Sequence, residues 1–189
     1  MEFLNWINDI ITALLSFVPR PVIVRATHGG VKWPWGKKPK EMKPGFHWYW
    51  PFSTEIEVIP TARQTLNLKT QALMTKDRQQ VAVGALAVYT INDVVRAIGK
   101  RNFDIDATVY DITQAAIVEA VTKWNLDDLL TNISGKVETQ LTRTVQKRLR
   151  QFGVRVQRAA LTDFSTAAVY KILSDGLPQM PPPDQEEAE

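Results

Sequence analysis

Residues 79–91 constrain the fold of this chain more than any other stretch. Val81, Val83, Ala85, Ala87, Tyr89 and Ile91 alternate with Ala82, Gly84, Leu86 and Val88. Both sets are apolar, so the stretch reads as a strand covered on both faces. Its small residues suit a helix packed closely over the sheet. The period then changes. Asp93 is a suitable N-cap for a short helix over 94–98 that Gly99 ends. Asp106 can cap a longer helix whose inward side is Val109, Ile112, Ala116, Ala120 and Trp124. A third helix, over 136–151, sets Val137, Leu141, Val145, Leu149 and Phe152 at three- and four-residue spacing. Gly153 stops it, Val154-Arg155-Val156 opens a last strand towards Leu161, and Ser165 caps a short helix to Leu173.

Upstream, Pro19 and Pro21 set the chain extended. Residues 21–26 form a strand, and His28-Gly29-Gly30 a turn into a second over 31–35. Residues 36–40 are a basic loop, and Pro44-Gly45 turns the chain into the aromatic run 46–52. Residues 55–59 and the alternation around Leu66 and Leu68 have the period of half-buried strands, and Thr75-Lys76-Asp77 is a polar hairpin turn. Strands first, then a strand with helices, then a strand: this order predicts an α+β domain, an antiparallel-rich sheet with packed helices.

Ahead of that domain, residues 1–18 read as a helix with a broad apolar face. Phe3, Leu4, Trp6, Ile7, Ile10, Ile11, Leu14, Leu15, Phe17 and Val18 recur at helical spacing, with Asn5, Asp9, Thr12 and Ser16 opposite. At about 1.5 Å per residue the helix is roughly 27 Å long, slightly short of the ~30 Å hydrocarbon layer. Asn5, Asn8 and Asp9 would be costly at the bilayer centre. The segment is therefore expected to lie in the membrane interface as an anchor; a spanning helix and a core or oligomer-contact helix are the alternatives. Glu2 and the lack of a small-x-small site before Pro19 argue against a secretory signal. Arg20, Arg25 and the lysines beyond follow it, and basic residues after a membrane segment stay on the cytoplasmic side. The domain is thus expected on the cytoplasmic face of a membrane.

At 189 residues the chain holds one ordinary domain plus short appendages. It has no cysteine, which excludes disulfides and thiolate metal sites. His28 and His47 lack the spacing of a zinc site, so no metal is expected. No base, oxyanion donors or cofactor loop accompany the serines, so no catalytic residue and no cofactor is assigned, and the chain does not read as an enzyme. Asp104, Asp106, Asp111, Asp127 and Asp128 are helix N-terminal charges and caps. The net charge of +3 is unevenly spread. Lysines and arginines crowd 20–50 and 136–158, whereas Asp184, Glu186, Glu187 and Glu189 close the chain. Residues 177–189, with Pro181-Pro182-Pro183, are expected to be a disordered acidic tail.

Several short pieces share an order and spacing. They are Gly30-Val31 with Gly36-Lys37, Pro44-Gly45-Phe46-His47, Pro51-Phe52, Thr75-Lys76-Asp77 with Val81 and Val83, and Tyr89-Thr90-Ile91-Asn92-Asp93 with Ala97. Leu129-Leu130 and Gly153-Val154-Arg155-Val156, leading to Leu161-Thr162-Asp163-Phe164, complete the set. Behind an N-terminal membrane segment, this layout resembles the stomatin/prohibitin/flotillin superfamily, also called SPFH or band 7. The resemblance implies an SPFH domain over 19–164, preceded by the anchor helix over 1–18. A short helix over 165–176 and the tail over 177–189 follow. It further implies a membrane-associated scaffold that self-assembles into a ring-like or partial-cage homo-oligomer and organises lipids or membrane proteins. The alternative is a regulatory partner of an integral membrane protease or channel. Such families usually continue into a long coiled coil; Gly176 and the proline run put a closed cage in doubt here.

Two surfaces are expected to carry function. Trp33, Trp35, Trp48, Tyr49 and Trp50, with Lys37, Lys38, Lys40 and Lys43, suit a membrane surface. Aromatic rings prefer the headgroup layer, and each lysine adds roughly 1 kcal/mol of attraction to anionic lipid. Lys136, Arg143, Lys147 and Arg150 make a basic helix face suited to subunit contact. No nucleic-acid partner is expected, because no stacking motif of a known binding module accompanies the aromatics.

Overall fold

The computed structural model of the chain describes residues 18–99 and 104–166. The predicted anchor helix, Val18 apart, the helix after Ser165 and the acidic tail lie outside the described residues. Among the described residues, eight strands form three antiparallel sheets. β1 (Arg20–Val24) pairs with β4 (Gly45–Tyr49). β2 (His28–Pro34) lies between β3 (Lys40–Met42) and β5 (Thr54–Pro60). β7 (Gln80–Ile91) lies between β6 (Gln64–Met74) and β8 (Val154–Ser165).

β7 is the centre of the molecule, as its alternation requires: every residue from Val81 to Tyr89 except Leu86 is buried. Its Val81, Val83, Ala85, Tyr89 and Ile91 join the main core with Val109, Ala116, Ile117 and Val121 of α2 (Ile105–Lys123). Val137, Leu141, Val145 and Leu149 complete it, the last three from α4 (Glu138–Leu149), as their spacing predicts. β8 ends this sheet, yet α4 blunts its free edge. The Thr142 hydroxyl donates to the Ala159 carbonyl and accepts from the Ala159 N–H, at 3.1 and 3.0 Å. The Gln146 side-chain oxygen accepts from Val156 N–H at 2.7 Å. An open edge that invites pairing with other chains is thereby shortened.

Several boundaries differ from expectation. Gly29 and Gly30 are not a turn but lie inside β2. A Cβ on Gly29 would stand 2.5 Å from Val94 Cγ2 of α1 (Val94–Ala97), so the glycine is there for close approach. Asp93 does cap α1, accepting from Arg96 N–H at 3.0 Å. The cap of α2 is Asp104, which accepts from the N–H groups of Asp106 and Ala107; Asp106 instead accepts the Tyr89 hydroxyl at 2.5 Å. The helix expected from 136 onward starts earlier, as α3 (Leu126–Asn132) and a π turn at Ile133–Val137. Gly153 ends the run as expected, at φ 73°, in the left-handed region glycine tolerates. The 75–77 turn also docks elsewhere. Asp77 accepts from Thr75 Oγ1 and from the Leu126 N–H, and the Thr75 hydroxyl holds its carboxyl below the usual range.

Candidate membrane-facing surface

The short ribbon of β1 and β4 turns an apolar face outward. Ile23 stands opposite Phe46, and Pro21 opposite Trp48, so all four share one face of the ribbon. The Phe46 and Trp48 rings meet edge-on, with centroids 5.4 Å apart. Alternate residues point inward: Val24 is buried against β2, within reach of Gly30. Ile23 is 71 % exposed and Trp35 73 %, and Trp50 and Phe52 are exposed as well. Trp35 and Phe52 contact one another at 5.7 Å. Of the eleven exposed large apolar side chains among the described residues, seven fall between Val18 and Phe52. A folded domain rarely gathers large apolar groups at the surface unless something else covers them.

Lys37, Lys38, Lys40 and Lys43 are all exposed, and Lys32, half-buried, donates to the Trp48 carbonyl at 3.2 Å. Trp33 is placed differently from its neighbours. It lies on the opposite face of β2 from Lys32 and packs against the main core with Val31 and Ile59, so it is structural. Tyr49 is half-buried at the end of β4.

The basic residues of the third predicted helix do not form one patch. Lys136, Arg143 and Lys147 line an open groove of about 810 Å³ beside the π turn, with Ser134, Thr139 and Gln140. Arg150 faces a separate hollow of about 490 Å³, with Arg96 and Arg155. None of those four has an ion-pair partner among the described residues. Arg148 and Arg158 do, with Glu119 and Glu138; the pair with Glu138 raises the Arg158 pKa further. Glu119 is held below the usual range by Lys123 and then Arg148. Among the described residues no three His, Cys, Asp or Glu side chains come together as a metal site, and no helix is long and apolar enough to cross a membrane.

Compared with known families, residues 22–173 match the SPFH domain / Band 7 family. The match takes in all four helices and every strand described above except the first two residues of β1. The chain belongs to the SPFH domain / Band 7 family. An uncharacterised protein of Methanocaldococcus jannaschii is 24 % identical over 161 residues, 85 % of this chain and 80 % of that protein. Stomatin homologs of Pyrococcus horikoshii and Pyrococcus abyssi are each 26 % identical over 125 residues, 66 % of this chain and 46 % of theirs. The SPFH domain chain therefore spans about half the length of those stomatin homologs.

Within the SPFH domain, the apolar face contains residues that were missed by reading rings and lysines alone. Ile23 and Phe46 belong to it as fully as Trp48, and Phe52, in the turn after β4, is exposed against Trp35. The alternation of Phe46, Trp48 and Trp50 carried a signal, since one face of a strand holding only large rings must be buried by something. What the chain could not show was that this face is the outer one.

Proposed function

We propose that this SPFH domain is a membrane-associated scaffold whose β1–β4 face lies on the bilayer and whose copies assemble side by side. The observation that carries the reading is the outward apolar face of Pro21, Ile23, Phe46 and Trp48, with Trp50 and Phe52 exposed just beyond β4. Burying an exposed Ile, Phe or Trp stabilises association by about 1.5–3 kcal/mol for each side chain fully covered. β1 begins at Arg20, directly after the predicted anchor segment, so the face starts where the chain leaves the membrane interface. Rings and lysines together are what a headgroup layer selects. The groove of Lys136, Arg143 and Lys147 supplies cations for a lateral contact with an acidic neighbour. The likeness to stomatin homologs agrees with this reading.

The chain has no cysteine, so a single introduced one carries a unique spin label. On protein-free vesicles, labels at Ile23→Cys and Phe46→Cys are expected to become accessible to oxygen and hidden from a water-soluble relaxer. A label at Leu130→Cys, exposed on α3, is expected to stay aqueous. A label at Ile23→Cys that stays aqueous overturns the reading in favour of a face docked on an integral membrane protein. Ring-like particles of wild-type chain on the same vesicles are the expected sign of assembly.

A further inference from the structure

We infer that the seam between the two small sheets binds the phosphate of an anionic lipid headgroup, an inference that rests on the membrane-facing reading above. The seam's own core is small, holding Val24, Met42 and Thr54. Beyond it lies a half-enclosed cavity of about 520 Å³ lined by Lys32, Lys37, Lys40, Pro34, Met42 and His47. Small-ligand sites run about 300–1,000 Å³, so the space exceeds a bare phosphate and suits a phosphate with its glycerol.

The charge arrangement is unusual for a sheet. Lys32 and Lys40 are direct cross-strand partners on β2 and β3. Like charges set opposite one another destabilise a ladder, and neither lysine has an ion-pair partner among the described residues. An anion between them removes that cost. Glu41 also borders the cavity, but it occupies the alternate strand position, opposite Val31. Lys32 is half-buried and gives one of its three hydrogens to the Trp48 carbonyl, which holds its ammonium at the cavity while leaving two donors free. The same Trp48 sets its ring beside Phe46 in the apolar face. A phosphate seated on Lys32 therefore lies directly behind the strand whose rings meet the bilayer. Lys38 and Lys43, equally basic, do not line the cavity.

The test uses the full chain with vesicles of phosphatidylcholine, alone or mixed with phosphatidylglycerol, read by co-sedimentation. Lys32→Gln combined with Lys40→Gln should reduce the preference for phosphatidylglycerol roughly tenfold or more, and Arg at both positions should retain it. Lys38→Gln combined with Lys43→Gln removes the same charge without touching the cavity and should weaken that preference by a clearly smaller factor, the share that diffuse attraction supplies. Binding to neutral vesicles should be equal in all variants, and thermal melts confirm folding. Millimolar sn-glycerol 1-phosphate should compete the preference away. If it and inorganic phosphate bind in solution yet leave the vesicle preference intact, the cavity serves a free phosphate and the lipid assignment is overturned. Equal losses in the two Gln pairs reduce the effect to diffuse charge and overturn the site, while the membrane-facing reading stands. A wild-type chain that binds neither vesicle overturns that reading itself, whatever the phosphate titration gives.

Discussion

The two ends of this domain use similar side chains for opposite purposes. Around β7 and β8 the apolar residues are Val, Ala, Ile and Leu, and α2 and α4 cover them almost completely. Among the described residues before Thr61, only Val24, Val31 and Met42 of the large apolar side chains are buried, while Ile23, Trp35, Phe46, Trp48, Trp50 and Phe52 are exposed. The first region is hydrophobic because it holds the fold together. The second is hydrophobic beyond what its own fold uses. An apolar pattern in a sequence thus says that burial occurs, and only the third dimension says whether the chain itself provides the cover.

The sharpest way to break this contrast is to truncate one residue on each side. Leu141→Ala removes a side chain that is 1 % exposed at the centre of the helical layer, and should cost about 2–5 kcal/mol of stability in denaturant titration. Tyr89→Phe should have a smaller effect, about 1–2 kcal/mol, because it removes the hydroxyl that donates to Asp106 at 2.5 Å. Its pH signature is more telling. Burial, and then the hydrogen bond to Asp106, raise the Tyr89 pKa above its ordinary value of about 10. A raised folded-state pKa means the stabilisation is fully present below about pH 10 and is lost as pH climbs through the folded value. The wild-type advantage over Tyr89→Phe should therefore be flat from neutral pH to about pH 10 and shrink beyond it. No difference between the two proteins at neutral pH would remove this hydrogen bond from the account.

The smallest expected effect lies on the other side. Phe46→Ser should change stability in solution by no more than about 1 kcal/mol, since the exposed ring gives up only its edge-on contact with Trp48 and its pairing with Ile23. Vesicle binding, measured on the same sample, should weaken. A loss of several kcal/mol from Phe46→Ser would mean that the ribbon face is part of the fold's own core, and the contrast would collapse.

Most of the architecture was legible because local rules govern it. The period of β7, the Asp93 cap, the spacing of Leu141, Val145 and Leu149, and the stop at Gly153 all follow from residues near one another in the chain. The misreadings have a common cause in distant partners. Gly29 looked like a turn residue because the reason for it, Val94, stands 65 positions away. Asp106 looked like a cap because its true partner, Tyr89, lies on another element. Asp77 looked like a turn residue only, although it also receives the Leu126 N–H at the start of α3. The exposed apolar surface was half legible. The rings were evident, but the separation of Trp33 from Trp35 depends on which face of β2 meets the core. The importance of Lys32 depends on its pairing with Lys40 across a ladder.

The central place of β7 has a consequence in time. Its partner on one side, β6, precedes it immediately, but the residues that pair on the other side come 63 to 83 positions later, from Ile91↔Val154 to Ala82↔Ser165. At a synthesis rate of about 5–20 residues per second, the most apolar strand of the protein waits roughly 3–17 s with one edge open. During that interval the nascent chain holds a hairpin whose unpaired backbone is a template for any extended neighbour. Polysomes making this protein therefore bring such edges together before β8 exists to close them.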